Sequence, residues 1–341
     1  MAGAHAHFRA GGGAQVSSRN RIAYLLAASH SGSTLTAMLL NSHPEIVTAG
    51  ELKITSLGNI DAYRCSCGTP IRQCEFWSGV TSGMRRRGVP FDIARPGTHF
   101  GDGSSPRYGR YLKPLFRGGL AENVRDLALA FQPGWRAHVA NTQRANAALI
   151  DSVLEQSGKK VIVDSSKIGI RLKYLLRNPE LDVRVVRLVR DGRAVSLTYM
   201  DPAAFADAKD PSLRGGGSGG DRRAERLPVR DAAREWLRSN EEAEALRSQV
   251  PAANWIDVRY EEICNQTEST LQRIFSFLGV DPAAPRPNFR AATHHVVGNG
   301  MRLDSTSEVK LDERWRQALT ADDLREFDLV AGQFNRRMQY T

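Results

Sequence analysis

A short turn between two apolar segments has the residue types that bind an anion. Residues Ser29–Thr34 read SHSGST, a run of small and hydroxyl-bearing residues. The run follows the apolar segment Ile22–Ala28, which has strand length, and precedes the apolar segment Leu35–Leu40, which suits a helix. A strand, a tight turn and a helix in this order point backbone N–H groups and a helix N-terminus at one place. The residues predicted to hold a phosphate are Ser31, Gly32, Ser33 and Thr34.

The turn is not the common P-loop of nucleotide-binding enzymes. That motif reads GxxxxGK[ST], and its Lys and hydroxyl contact the phosphates and magnesium. No Lys follows Gly32 here, and Ser29 stands four residues before Ser33. On its own, the turn fits either an anion site or a plain strand-to-helix connection.

A second turn with the same layout follows the apolar strand predicted over Val183–Val189. It delivers Arg190 to the carboxyl end of that strand, and the predicted helix Asp191–Tyr199 begins at once. Ligands of open α/β sheets lie beyond the carboxyl ends of the strands, and an arginine can hold a phosphate by two parallel hydrogen bonds. A surface pair between Arg190 and Asp191 is the plainer explanation, but it does not account for a second anion-suited turn.

Alternating strands and helices must position these two turns. Such alternation predicts an α/β fold in which a mostly parallel sheet is flanked by helices in three layers. The further predicted strands are Val161–Val163 and Trp255–Tyr260. The further predicted helices are Ile168–Arg177, Asp231–Val250, Thr267–Leu278 and Asp322–Gln339, the last opened by a capping box at Thr320–Asp323.

The domain prediction is one large domain over residues 21–341, preceded by a disordered tail over residues 1–20. Residues 58–157 are predicted to form an insertion of loops and helices on the acceptor side of the site. Its first part is turn-rich, and its long helical pattern is broken at Pro133-Gly134. Residues 201–228 include RGGGSGG and are predicted to form a mobile loop.

The overall charge favours an anionic ligand. The 341 residues carry a net charge of +10, which suits such a ligand. The charge is dispersed, with Arg85–Arg87 the longest basic run, so nucleic acid is not predicted as a partner. No apolar run reaches the ~18 residues of a membrane span. We therefore expect a soluble cytoplasmic protein.

Three of the four cysteines are clustered in one segment. Cys65, Cys67 and Cys74 lie in RCSCGTPIRQC, whereas Cys264 stands apart. The three could hold zinc with a fourth ligand from elsewhere, form one disulfide and one free thiol, or stay reduced. Three ligands in one loop do not close a structural zinc site, so no metal is predicted.

Four segments, taken in order, resemble sulfotransferases that use 3′-phosphoadenosine-5′-phosphosulfate (PAPS). SHSGSTLTAMLLNSHPEIVTAGE resembles the family's 5′-phosphosulfate loop, in the form found in tyrosylprotein and bacterial carbohydrate-type enzymes. LVRDGRAVSLTY resembles the 3′-phosphate motif. VRYEEICNQTESTLQRIFSFLGV resembles the late strand and helix, and GNGMRLDSTSEVKLDERW the C-terminal loop. The resemblance covers residues 21 to about 315 and implies a P-loop-like sulfotransferase fold.

The resemblance also implies roles for individual residues. Ser31–Thr34 would hold the 5′-phosphosulfate. Arg190 and Thr198 would hold the 3′-phosphate, with Arg302 reaching it from the C-terminal loop. Thr198 stands where the family more often has Ser, and it keeps the hydroxyl.

Three more residues, Glu51, His30 and Lys167, are predicted to take part in the chemistry. Glu51 stands where related enzymes place a general base. His30 departs from the family, which commonly has Lys or Arg there to neutralise the departing oxygen. Either His30 does this as an imidazolium, or Lys167, just after a predicted strand, supplies the charge. Asp164, Ser165 and Ser166 are expected to line the acceptor side.

The resemblance implies a PAPS-dependent sulfotransferase that leaves PAP, the desulfated nucleotide, as product and needs no metal for the transfer. The expected acceptor is a hydroxyl of a saccharide or glycolipid. A phenolic metabolite, a peptide tyrosine, and a non-catalytic nucleotide-binding module are the alternatives. The resemblance does not specify the oligomeric state.

Overall fold

Five parallel strands form the central sheet, in the order β2-β3-β1-β4-β5. The computed structural model describes residues 20–54, 57–100, 120–206, 208–217, 225–304 and 308–341. The strands are β1 (Asn20–Ala27), β2 (Ile46–Gly50), β3 (Val161–Lys167), β4 (Leu181–Val189) and β5 (Trp255–Arg259).

Helices follow the strands and cover both faces of the sheet. In chain order they are α1 (Ser33–Asn41), α2 (Glu75–Arg86), α3 (Leu120–Ala130), α4 (Pro133–Ser157), α5 (Gly169–Leu175), α6 (Gly192–Met200), α7 (Pro202–Phe205), α8 (Val229–Arg247), α9 (Tyr260–Asn265), α10 (Thr267–Leu278), α11 (Trp315–Ala318), α12 (Ala321–Phe327) and α13 (Gln333–Arg337). A π-helical segment, Asp328–Gly332, joins α12 to α13. Among the described residues, no helix combines the length and the apolar composition that crossing a bilayer requires.

The sheet is buried on both faces because successive side chains of a strand point to opposite sides. On β1, Ile22, Tyr24 and Leu26 pack into the core that contains α2, α4 and α5. The alternate residues, Ala23 and Leu25, pack into the core that contains α1 and α10. The three-layer α/β fold predicted from the sequence is therefore confirmed.

Most predicted elements occur with small shifts at their ends. The helix Thr267–Leu278 has the predicted bounds, and the capping box at Thr320 is present. The long helical pattern breaks as predicted, because α4 begins at Pro133. The elements that were not predicted are β2, α2 and the short helices α7, α9 and α11.

Both the predicted insertion of loops and helices and the predicted mobile loop contain regular structure. Residues 58–157 hold α2, α3 and α4, with residues 101–119 outside the described part. Residues 201–228 hold α7 and a 3₁₀ turn at Pro211–Gly217. Of the predicted tail, residues 1–19 lie outside the described part, and β1 already begins at Asn20.

Candidate active site

A cleft of about 1370 Å³ lies along the carboxyl edge of the sheet. Each of the five strands places a lining residue there, at its last position or shortly after it. These residues are Gly32 after β1, Glu51 after β2, Lys167 at the end of β3, Arg190 after β4 and Tyr260 after β5. The parallel sheet therefore brings together residues that are far apart in the sequence.

The strand order arranges these residues along the cleft. Because β2 and β3 form one side of the sheet, Glu51 and Lys167 lie together at one end. The turn after β1 is central. Arg190 and Tyr260, from β4 and β5, lie at the other end and stack on each other, with the guanidinium carbon 4.6 Å from the ring centroid.

The central turn, Ser29–Thr34, has a backbone and side chains that suit an anion, and it is named the anion cradle. Gly32 has φ +85°, and a Cβ there would lie 2.3 Å from Cδ2 of Tyr260, so only glycine fits. The first intrahelical bond of α1 runs from the Thr36 N–H to the Gly32 carbonyl. The N–H groups of residues 33–35 precede that bond, and these three residues line the cleft. Ser31 was predicted to hold the phosphate but is not among the residues that line the cleft, and its buried hydroxyl has no hydrogen-bond partner.

His30 is positioned at the centre of the cleft by its own backbone. Its φ of 66° lies in the left-handed region, which a non-glycine residue adopts only where its surroundings enforce it. Its carbonyl accepts a hydrogen bond of 2.9 Å from Arg190 Nη1, and its ring meets Tyr199 edge to face at 4.6 Å. The structure therefore brings His30 between the two ends of the cleft.

The Glu51 carboxylate forms ion pairs with two ammonium groups. Lys167 Nζ donates a hydrogen bond to Glu51 Oε1, and Lys53 Nζ lies 3.3 Å from Oε2. Burial raises the pKa of Glu51, but the charges and hydrogen bonds of Lys167 and Lys53 outweigh it and bring the pKa down to about 2. Lys167 also has a left-handed backbone, with φ 72°. The carboxylate is therefore fully ionised and already paired with the predicted catalytic cation.

This pairing predicts a specific loss of stability in acid. The pKa of Glu51 is about 2 in the folded chain and 4.5 without the fold. A lowered carboxyl pKa stabilises the folded state above the unfolded value, and that stabilisation disappears as the pH falls through the folded value. The free energy of unfolding of the wild type, minus that of Glu51→Gln, should fall by about 3 kcal/mol between pH 5 and pH 2.

Urea unfolding of both proteins across this pH range measures the difference. Glu241→Gln, at an exposed glutamate of α8 outside the cleft, serves as the matched control. A difference between wild type and Glu51→Gln that stays constant with pH would contradict the ion pair.

Both terminal nitrogens of Arg190 donate hydrogen bonds, whereas its buried Nε has no hydrogen-bond partner. Besides the His30 carbonyl, its Nη2 donates to the backbone carbonyl of Asp312 at 3.2 Å and to Asp312 Oδ2 at 3.1 Å. The buried Trp236 indole donates a 3.1 Å hydrogen bond to the Arg190 carbonyl and so fixes the end of β4. The Arg190 side chain therefore has a defined direction before any ligand arrives.

The Asp312 carboxylate is held by two guanidinium groups. Arg314 donates from Nε to Oδ1 at 2.8 Å and from Nη2 to Oδ2 at 2.9 Å, and Arg190 reaches Oδ2 from the other side. Burial raises the pKa of Asp312, but hydrogen bonds from Arg314 and the charge of Arg190 outweigh it and lower the pKa to about 2. Arg190 and Arg314 thus bind one anion between them and are named the two-arginine grip. Two guanidinium groups arranged in this way also suit a phosphate.

The predicted 3′-phosphate residues have different positions in the structure. Thr198 lines the cleft on α6, although its hydroxyl donates to the Ala194 carbonyl at 2.9 Å. Arg302 is not brought into the cleft. It is 2% exposed and donates to the carbonyls of Val296, Gly298 and Asn299. A further hydrogen bond, from Nη2, goes to the Arg64 carbonyl. Arg302 thus fastens the C-terminal loop instead of facing a ligand.

The residues predicted to line the acceptor side also lie outside the cleft. Asp164, Ser165 and Ser166 are buried within β3. Asp164 forms a buried ion pair with Arg171 at 2.8 Å and accepts a 3.3 Å hydrogen bond from the Leu52 N–H. These residues therefore support the backbone that carries Glu51 and Lys167.

Several cleft residues were not predicted from the sequence. Lys53 stands two residues after Glu51, and its partnership with that carboxylate depends on the turn after β2. Others are Arg290, Lys310, Asp312 and Arg314. The last three lie inside GNGMRLDSTSEVKLDERW, so the segment was predicted correctly, but the residue chosen within it was Arg302.

Comparison with known proteins gives consistent results. Residues 181–284, which run from β4 past α10, match the model of the sulfotransferase family. The chain is 24% identical over 196 residues to carbohydrate sulfotransferase 2 of Homo sapiens, and 23% identical over 196 residues to the Mus musculus protein of that name. Each alignment covers 46% of this chain, and the chain spans about a third (34%) of the length of each of these curated relatives.

Solved structures that resemble the chain overall include two sulfotransferases. One is the sulfotransferase domain from the Synechococcus PCC 7002 olefin synthase, with 20% identity, a TM-score of 0.45, and coverage of 93% of this chain and 94% of that one. The other is sulfotransferase STF9 from Mycobacterium avium, with 11% identity, a TM-score of 0.45, and coverage of 91% and 75%.

The matched residues 181–284 contain Arg190, which grips the Asp312 carboxylate, and Tyr260, which packs on the anion cradle. Sequence match and site geometry therefore agree on the same segment. Over residues 181–284, which supply this end of the cleft, the chain matches the sulfotransferase family model.

Proposed function

We propose that the chain transfers the sulfuryl group of PAPS to a hydroxyl of an acceptor, with Glu51 as the general base. The observation that carries the proposal is the convergence of an anion cradle, a carboxylate–lysine pair and a two-arginine grip in one cleft. A doubly phosphorylated donor needs two anion sites separated by a nucleoside, and the cleft offers one at its centre and one at its β4–β5 end.

The cleft residues fit such a donor on structural grounds. The buried Ser31 hydroxyl lacks a partner, and the Gly32 backbone allows a close approach. At the other end, the Asp312 carboxylate occupies the grip of Arg190 and Arg314. We infer that a 3′-phosphate replaces this carboxylate when the nucleotide binds. Thr198 lines the cleft on α6, the helix that follows Arg190.

The pairing of Glu51 with Lys167 explains how a carboxylate with a pKa of about 2 can serve as a base. An anionic group bound in the cradle competes with Glu51 for the Lys167 ammonium. When the ammonium leaves Glu51, the pKa of the carboxyl rises and its basicity increases. Glu51 therefore gains basicity only when the donor is bound.

The transfer balances as an in-line displacement. The acceptor oxygen forms a bond to sulfur while the bond from sulfur to the 5′-phosphate oxygen breaks, and the acceptor proton passes to Glu51. PAP leaves with the electron pair of the broken bond. His30 and Lys167 stabilise the negative charge that grows on the departing oxygen.

A saccharide or glycolipid hydroxyl is the acceptor that we propose. Lys53, Lys209, Arg214 and Glu225 give the cleft a charged and polar lining, which suits a polyhydroxylated molecule. The curated relatives are named as carbohydrate sulfotransferases. A phenolic acceptor or a peptide tyrosine is tested by the same assay.

Two measurements on the full chain test the function. The first is calorimetric titration with PAP, and the second is transfer of labelled sulfuryl from PAPS to a panel of sugars, glycolipids and phenols. Binding together with a sulfated product supports the proposal. Binding without product on any acceptor favours a nucleotide-binding module, and no binding of PAP contradicts the proposal.

His30→Ala should lower the turnover number by about 100-fold or more, while the dissociation constant for PAPS changes only a few-fold. The reason is that the imidazole acts on charge that develops during transfer, whereas the backbone carbonyl of the same residue makes the contact with Arg190. Steady-state kinetics and calorimetry together measure the two quantities.

Two further variants separate chemistry from backbone strain. His30→Asn tolerates the positive φ and should be as slow as His30→Ala. His30→Lys restores the cation common in the family and should recover activity. Equal turnover in the wild type and His30→Ala would exclude the catalytic role.

A further inference from the structure

A second cluster of reactive side chains lies outside the cleft. Cys65, Cys67, Cys74 and His295 each offer one ligand atom, and these four atoms lie within 4.8 Å of one another. The three cysteines are not joined by a disulfide. The sequence supplied only three ligands from one loop, and the fold adds the fourth, His295, 221 residues after Cys74.

Three of the six distances between ligand atoms of the cluster match a tetrahedron around a metal ion, and all six are within 4.8 Å. With Zn–S bonds of about 2.3 Å and Zn–N bonds of about 2.0 Å, tetrahedral geometry sets neighbouring sulfurs about 3.8 Å apart, and sulfur and nitrogen about 3.5 Å apart. The Sγ atoms of Cys67 and Cys74 are 3.8 Å apart. Nδ1 of His295 lies 3.4 Å from Sγ of Cys74 and 3.7 Å from Sγ of Cys65.

Local structure aims each ligand at the common centre. Gly68, with φ +86°, turns the chain back after Cys67, and the Cys65 N–H bonds the Thr69 carbonyl at 2.9 Å. Cys74 immediately precedes α2, where the helix N-terminus favours a thiolate.

Two aromatic residues of α2 hold the His295 imidazole in place. Phe76 stacks on the His295 ring with centroids 4.4 Å apart and planes 2° apart. The Trp77 indole donates to the His295 carbonyl at 3.2 Å. The first turn of α2 thus fixes His295 in position against the thiols.

We propose that Cys65, Cys67, Cys74 and His295 bind one structural zinc ion. Three thiolates and one imidazole form a closed tetrahedral set, which is characteristic of structural zinc and leaves no position for a reactant. The ion has no part in sulfuryl transfer, so the proposal does not depend on the proposed function. It replaces the expectation from sequence that the chain holds no metal.

The zinc ion would fasten the segment 294–302, defined here as the strap, to the part of the chain around Glu51. The strap lines the cleft at residues 298–301. Its Val297 N–H bonds the Ala49 carbonyl at 3.0 Å, and its Gly298 N–H bonds the Tyr63 hydroxyl at 2.8 Å. A cross-link from His295 to the cysteine loop fixes the strap at one end, and Arg302 fixes it at the other.

Metal analysis of the full chain tests the site. The chain is expressed with zinc in the medium, dialysed extensively and measured by elemental mass spectrometry, and about one zinc ion per chain is expected. Cys67→Ser is the main variant because Cys67 is exposed and its replacement leaves the core intact. It should retain almost no zinc. Cys264→Ser, at the cysteine outside the cluster, should retain all of it.

A pair of histidine variants identifies the fourth ligand. His295→Ala should lose zinc, whereas His295→Cys should keep it as a four-thiolate site. Removing zinc with a chelator should lower the melting temperature of the wild type and of Cys264→Ser but not that of Cys67→Ser. Amide hydrogen exchange in the strap should become faster in Cys67→Ser alone.

Three outcomes would overturn the proposal. The first is wild-type protein that folds without zinc and titrates four free thiols on denaturation. The second is a disulfide among the three clustered cysteines after cytoplasmic expression. The third is equal zinc content in the wild type and Cys67→Ser. None of these measurements uses PAPS, so their results do not bear on the sulfotransferase proposal, which is tested separately.

Discussion

Glu51→Gln is expected to lower sulfuryl transfer by about 1,000-fold, because a positioned general base contributes about 100- to 10,000-fold. The substitution keeps the shape of the side chain and its ability to bond Lys167, but it removes the acceptor for the proton. The dissociation constant for PAP should stay within about threefold of the wild type, since Arg190 and Arg314 lie at the opposite, β4–β5 end of the cleft.

Single-turnover kinetics with saturating PAPS measure the transfer step. Glu241→Gln, exposed on α8, is the matched control and should react like the wild type. Lys167→Met separates two effects of the Lys167 charge. The substitution removes the charge that keeps Glu51 ionised in the resting site. It should still slow transfer, because the same charge stabilises the leaving group. A Glu51→Gln protein that reacts as fast as the wild type would remove Glu51 from the mechanism.

Arg190→Ala is expected to weaken PAP binding by about 100-fold or more, because hydrogen bonds to a charged group contribute about 1.5–3 kcal/mol each. Arg190 is buried and held by His30, Asp312 and Tyr260, so it loses little side-chain freedom when a phosphate binds. Calorimetric titration with PAP measures the change, and the melting temperature verifies that the variant is folded.

Asp312→Asn should change the affinity for PAP in the direction opposite to Arg190→Ala. If a 3′-phosphate takes the place of the Asp312 carboxylate, Asp312→Asn should bind PAP more tightly than the wild type, because the competing anion is gone. Arg273→Ala, on α10 and paired with Glu262 at the surface, is the matched control for the loss of one positive charge in Arg190→Ala. Weaker binding by Asp312→Asn would show that Asp312 supports the site instead of occupying it.

The sequence predicts the ends of β1, β4 and β5 well, because a buried parallel strand and the turn after it have strong local signals. The SHSGST turn and Arg190 both lie where the alternation of apolar runs and helices indicated. Their meeting in one cleft follows from a general property of parallel sheets, so it too could be predicted.

The elements that were missed have weak local signals. β2 is only five residues, IVTAG, and three of them are small or polar. α2 contains Gly79 and Gly83, which disfavour helix on their own. Both glycines pack closely in the structure, with a Cβ at Gly83 only 2.8 Å from Ser152 Oγ. Tertiary packing against α4, absent from any local pattern, stabilises this helix.

The direction of a side chain was the least predictable feature. Arg302 and Arg314 lie in the same segment, but the fold turns Arg302 onto backbone carbonyls and Arg314 onto Asp312. Likewise, nothing near RCSCGTPIRQC indicates that His295 meets its thiols. Both outcomes depend on how the C-terminal part of the chain crosses the sheet edge.

Titration of the full chain with PAP and, in parallel, with adenosine 5′-phosphate tests the central claim most directly. The two ligands differ only in the 3′-phosphate, which we assign to the grip of Arg190 and Arg314. We predict that PAP binds one site per chain and that adenosine 5′-phosphate binds about 100-fold more weakly. Equal affinity for the two ligands, or no binding of PAP, would contradict the assignment of the cleft.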